Sequence, residues 1–168
     1  MKAGLNVHTS SHAIEYCKLS GHRLKVISSG NVYQIGSFKV LPFDLPHDVP
    51  NLGFLISHPE SGKIMFATDC ATIPHKFNGL STLMVEVNYE DSIMTSDRAV
   101  GRHLSLDTAL KFIKKQDLSH VHNIILLHLS ASNSDAKAFI NAVKEVAPNA
   151  NVTVADKGVE LELSKHPF

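Results

Sequence analysis

The chain has 168 residues, with 16 basic side chains balancing 16 acidic ones. That length suits one domain with a substantial core, and the charge balance excludes a global basic field, so a nucleic-acid partner would need a local patch. Two cysteines without a Cys-x-x-Cys pair argue against a thiolate zinc site or a disulfide scaffold and make a cytoplasmic setting the expectation; the start of the chain lacks the apolar stretch of a signal peptide, and no run reaches the roughly 18 apolar residues of a membrane span.

Residues 4–7 read as a short strand, and Ser10 or Ser11 can cap a helix over 12–19. A β-rich run over 23–28 ends at the turn signal Ser29-Gly30-Asn31. Residues 32–35 and 38–41 then form a hairpin around Gly36-Ser37. The stretch 41–50 carries Pro42, Pro46 and Pro50; this density predicts a loop, with His47 and Asp48 inside it. A second hairpin joins 52–58 to 63–68, both strands apolar enough to be covered on both faces. Residues 82–87 are another apolar strand. Ser105 starts a helix to about 115 with Leu106, Leu110 and Ile113 on one stripe. Residues 123–127 are a buried strand, and 134–146 a helix with Ala138, Ala142 and Val146 at helical spacing. Residues 151–155 and 159–163 close the chain as a hairpin turned by Asp156-Lys157-Gly158. Strands and helices mixed in this way define an α/β fold around a mostly buried sheet.

Eleven histidines are the unusual feature of the composition, because histidine is the commonest protein metal ligand. Three apolar segments run out into polar tips: Phe66-Ala67-Thr68-Asp69, Leu126-Leu127-His128, and the loop carrying His47. Ends of neighbouring buried strands converge on one rim of a sheet. One carboxylate and two imidazoles there make a mixed N/O ligand set, which zinc, manganese and iron all accept. The alternatives for each residue are structural: Asp69 as a turn cap, His128 as a hydrogen-bonded strand end, His47 as a solvated loop residue.

Five ordered blocks carry a resemblance: Leu45-Pro46-His47-Asp48, Phe66-Ala67-Thr68-Asp69, Val85-Glu86-Val87-Asn88-Tyr89, Arg102-His103-Leu104-Ser105 and Leu127-His128-Leu129-Ser130. In this order the chain resembles the metallo-β-lactamase fold, in the bacterial branch of exonucleases and cyclic phosphate phosphodiesterases. The resemblance implies the C-terminal part of an αββα sandwich, a single N-terminally truncated domain over residues 1–168. It implies that His47 binds a first metal, Asp69 bridges two metals, and His128 binds the second. His103 would contact the substrate phosphate or protonate the leaving oxygen, which makes His103 and Asp69 the catalytic pair. Asp48 would set the tautomer of His47. Glu86 and Asn88 would hold loops at the rim, and Ser130 and Asn133 would bond phosphate or orient the histidines. For Ser105 a plain helix cap is the preferred reading.

The family's His-x-His-x-Asp-His loop has no counterpart here, and two ligands per metal should bind weakly. The activity the resemblance implies is metal-dependent phosphodiester hydrolysis on nucleic acid or a cyclic phosphate, with up to two zinc or manganese ions once the site is completed; the chain by itself is expected to be inactive or weakly active. A second copy or a partner chain would cover the missing strands. A catalytically inactive remnant serving as an oligomeric or accessory protein is the alternative. A plain α/β domain with incidental histidines is the third reading.

Overall fold

The computed structural model describes residues 4–92 and 101–164. Twelve elements follow in order: β1 (Val7–Thr9), α1 (Ser11–Tyr16), β2 (Leu24–Val26), β3 (Tyr33–Ile35), β4 (Phe38–Leu45), β5 (Asn51–His58), β6 (Gly62–Ala67), β7 (Thr82–Glu86), α2 (Leu106–Lys115), β8 (Asn123–Leu127), α3 (Ala136–Val146) and β9 (Asn151–Val154). The strands β1 and β2 pair in parallel as a small separate sheet. The other seven form one sheet in sequence order. Hairpins make its β3–β6 half antiparallel, whereas β6, β7, β8 and β9 run parallel. The class is α/β, as expected.

One face of this sheet is the core. Cross-strand rows such as Leu55, Met65, Leu83, Ile124 and Val152 point the same way and pack with Phe112 and Ile113 of α2 and Phe139 and Val143 of α3. Side chains alternate along strands, so Phe54, Ile56, Phe66 and Met84 face the other side, where they are only half-buried. Coverage of both faces of β5 and β6 is thus not what forms, because the two longer helices share one face. Val159, Leu161 and Leu163 line a shallow cavity with Met84 and Ile125 over part of the second face.

Several sequence expectations shift. The proline-rich stretch is not all loop: β4 continues through Pro42 to Leu45, paired with β5 down to Leu45–Asn51. It can do so because β3 pairs only with residues 38–40 of β4. Beyond that point β4 is an edge, where a proline costs no ladder bond on its free side. His47 and Asp48 do lie in a loop. The first strand starts at Val7 rather than residue 4. In α3 the buried stripe is Phe139 and Val143, whereas Ala138 is exposed; the larger side chains win the core position. The closing hairpin does not form. Val159 N–H closes the turn onto Asp156 O at 3.1 Å, but residues 159–163 are in no strand, which leaves β8 as the one partner of β9 among the described residues. No helix among the described residues is long and apolar enough to cross a membrane.

Phe43 stands opposite Gly53. A Cβ on Gly53 would sit 2.4 Å from two atoms of the Phe43 ring, so the ring occupies the space a side chain would take. Gly53→Ala is therefore expected to overpack the β4–β5 contact and destabilise by about 1–3 kcal/mol, read as a lowered thermal unfolding midpoint.

Candidate metal centre

The parallel half of the sheet builds the site. The strands β6, β7 and β8 are neighbours and run the same way, so their C-terminal ends share a rim. Asp69 follows β6, Glu86 ends β7 and His128 follows β8 directly. His103 arrives from the segment leading into α2. Its neighbourhood is anchored by the bridge between Tyr89 and Ser105 and by Asn88 N–H donating to Leu104 O at 2.8 Å. Donor atoms of Asp69, His103 and His128 all lie within 4.8 Å of one another. His103 thus stands beside Asp69 and His128, two of the three residues expected to bind metal.

Asp69 and His128 both have left-handed backbones, with φ of 54° each. Non-glycine residues pay about 1 kcal/mol or more for that conformation, so something must hold them. Two asparagines do. Asn88 Nδ2 donates to His128 O at 2.7 Å. Asn51 Nδ2 donates to Asp69 O at 2.6 Å and to Thr68 O at 2.9 Å. The sharp turn out of each strand aims its side chain across the rim instead of along the sheet.

Glu86 lies under the cluster with its side chain fully buried. Its Oε2 accepts from Cys70 N–H at 3.0 Å. Its Oε1 meets His103 Nδ1 at 2.8 Å and His128 Nδ1 at 3.1 Å. The same two Nδ1 atoms face Asp69 Oδ1, at 4.0 Å from His103 and 3.4 Å from His128; in the tautomer that gives Nδ1–H to Glu86, the lone pair of each ring is on Nε2. Burial pushes the Glu86 carboxyl up to about 7 from an ordinary 4.5, against the opposing pull of the Cys70 N–H and His128. Burial, with the Glu86 and Asp69 charges, also pushes the Cys70 thiol up to about 12. That thiol stays protonated and is no thiolate ligand.

His47 sits one ring away, its centroid 6.0 Å from that of His103. Its Nε2 meets Asp48 Oδ1 at 3.1 Å, and the other Asp48 oxygen takes Arg102 Nη2 at 3.1 Å. Its Nδ1 is buried with no hydrogen-bond partner among the described residues. A buried lone pair left unsatisfied is costly, and a cation is the partner that suits it. The donor set of one carboxylate and imidazole nitrogens fits zinc, manganese or iron. Asp69, His103 and His128 would hold the ion, with His47 beside them. Ser130 and Asn133 are not in the cluster: Ser130 Oγ accepts from the N–H groups of Ser132 and Asn133, and Asn133 O accepts from Glu90 N–H. They shape the turn after β8. Ser105 caps α2 through Thr108 N–H at 3.3 Å.

Asn51 was not a candidate in the sequence. Nothing around it, just after Pro50, signals its task, which depends on two carbonyls 17 and 18 residues onward. Glu86 had a visible signal, a charge set between the apolar residues Leu83-Met84-Val85 and Val87, since buried carboxylates are rare unless paired.

No protein-family model matches the sequence, and no curated protein matches it. Solved structures do. The metallo-β-lactamase fold protein YhfI from Bacillus subtilis superposes with a TM-score of 0.70 at 16% identity, over 92% of this chain and 62% of its own. Igni18, a metallo hydrolase from Ignicoccus hospitalis, gives 0.65 at 12% identity, over 96% of this chain and 71% of its own. The short form of human tRNase Z gives 0.56 at 16% identity, over 94% and 67%. Together with the mixed sheet and its rim, these likenesses define an α/β protein with a candidate metal centre at the strand ends. Its fold is the metallo-β-lactamase fold, of which the chain spans 62% of the length found in YhfI.

Two outcomes test this geometry. Asn88→Ala leaves the His128 carbonyl without its side-chain donor and should cost about 1–3 kcal/mol; thermal unfolding reads the loss, and zinc titration should show weaker binding. For Glu86 the folded pKa lies above the unfolded one, so between about pH 4.5 and 7 the folded chain holds the extra proton. Its contribution to stability is complete below that window and is lost as pH rises through it. Denaturant unfolding of the metal-free protein should show a downward slope there that Glu86→Gln flattens.

Proposed function

We propose that this chain carries the catalytic rim of a metal-dependent hydrolase acting on phosphodiester bonds of nucleic acid or a cyclic phosphate. The observation that carries the reading is the convergence of Asp69, His103 and His128 donor atoms within 4.8 Å above a buried carboxylate. Zinc or manganese is the proposed metal. Such an ion, when bound, lowers the pKa of its water and neutralises charge developing on phosphorus-bound oxygens. The chain's own residues do the rest. Asp69 supplies the anionic donor. His103, with Nδ1 held by Glu86, presents its Nε2 lone pair to the ion beside Asp69 and His128. Asp48 orients His47 and holds Arg102 at the rim. Because the donors here suffice for one ion, a second ion needs donors from further polypeptide, in a second copy or a partner chain that also covers the half-buried sheet face. The proposed setting is cytoplasmic.

An inactive remnant is the second reading. It is favoured by the separation of His47, which is outside the group of three clustered donors. Metal analysis of the purified chain and hydrolysis of bis-p-nitrophenyl phosphate separate the two. The hydrolase reading expects at least one zinc or manganese per chain, with turnover that falls roughly 100-fold or more in Asp69→Asn. Protein that takes up no metal and shows no turnover above the Asp69→Asn background overturns it and leaves the remnant.

A further inference from the structure

At the end of the sheet opposite the metal centre lies a cavity of about 370 Å³ between the start of β4, the end of β5 and the start of β6. We propose that it is a binding site for a phosphoryl-bearing anion, independent of the metal centre.

Strand register builds it. Lys39 of β4 pairs with Ser57 of β5, which pairs with Lys63 of β6. Residues paired directly across strands share a face, and strands stand about 4.7–4.9 Å apart. Two ammonium groups therefore flank one serine on the same side of the sheet, two strands apart. All three residues line the cavity, with Ser37 and His58, and among the described residues no carboxylate lines it. No ion pair involves Lys39 or Lys63 among the described residues; one donor of Lys63 Nζ goes to Asn78 O at 2.8 Å. Two like charges on one face without a counter-ion favour an anion between them.

The neutral groups point the same way. Glu60 N–H donates to His58 Nδ1 at 3.2 Å, so the neutral ring carries its proton on Nε2. That proton goes to Ser37 Oγ at 3.0 Å. With its oxygen accepting from His58, Ser37 has its own hydroxyl proton to donate. The cavity thus offers two ammonium groups and a hydroxyl donor, a set matched to the several acceptor oxygens of a phosphate. Its volume admits a phosphate with a small organic part. The same group can come from a free phosphomonoester or from the terminal phosphate of an oligonucleotide.

Calorimetric titration of the full chain with inorganic phosphate, at fixed ionic strength, tests the site. Saturable binding is expected in the wild type and in Lys39→Arg, weakened at least tenfold in Lys39→Ala and abolished in Lys39→Glu. Lys39 is exposed, so these variants should fold, as thermal unfolding will show. His128→Asn, which alters the other end of the sheet, should bind phosphate as the wild type does. Absence of saturable binding in the wild type, binding that survives in Lys39→Glu, or binding lost in His128→Asn each overturns the proposal. Glycerol 3-phosphate and a 5′-phosphorylated trinucleotide, the latter compared with its unphosphorylated form, then separate the two sources; selective binding of either phosphorylated probe supports the site.

Discussion

A carboxylate sealed beneath a sheet rim is an expensive thing to build, and Glu86 shows how the cost is met. The group ends a strand that is otherwise mostly apolar, without solvent, and burial alone would drive it neutral. It is kept by three donors: the Cys70 backbone N–H and one nitrogen from each of His103 and His128. These contacts reach the loop after β6, the segment before α2 and the residue after β8. One side chain therefore sets the relative position of three chain segments that are far apart in sequence. Removing it would take one tie from all three at once, whereas removing any one partner leaves the other two joined through it.

The sheet's change of direction supplies the second condition. In its antiparallel half, successive strands end at opposite edges, so adjacent strand ends cannot gather chemistry. From β6 onward the strands are parallel and the crossovers return each chain segment to the same edge. Asp69, Glu86 and His128 occur one per strand because of that topology, at the kind of location where open α/β sheets place their sites. The helices α2 and α3 cover one face of this half and complete the core beneath the rim.

Much of this was readable in the sequence, and the exceptions have physical causes. Apolar runs stopping at Asp69 and His128 marked strand ends, because a polar residue after a buried strand must reach solvent or a partner. The loop position of His47 followed from prolines, but the reach of β4 through Pro42 did not. Proline forbids a central strand, and whether a strand is central depends on how far its neighbour pairs, here only to Val40. The α3 stripe was read from Ala138, Ala142 and Val146 at helical spacing; Val146 does pack against the core, yet Phe139 and Val143 fill it because their area outweighs the periodicity of the two alanines. The final hairpin was inferred from a turn signal, and a turn did form at Asp156; a turn does not by itself supply the partner strand. Within the candidate site, the residue types that cluster were legible and their bracing was not. The contacts of Asn51 and the shared hydrogen bonding of two imidazoles to one oxygen exist only after long-range pairing.

The left-handed residues at 69 and 128 have a consequence for how the rim tolerates evolutionary or engineered change. Asparagine enters that backbone region more readily than most side chains, and alanine does not. An alanine at either position would alter two things together, the local chain geometry and the donor atom. Asparagine changes mainly the donor. Two neighbouring sequences that differ only by aspartate and asparagine at position 69, or by histidine and asparagine at position 128, would share a backbone and diverge in chemistry. Loss of the donor by that route would leave little trace in the shape of the molecule.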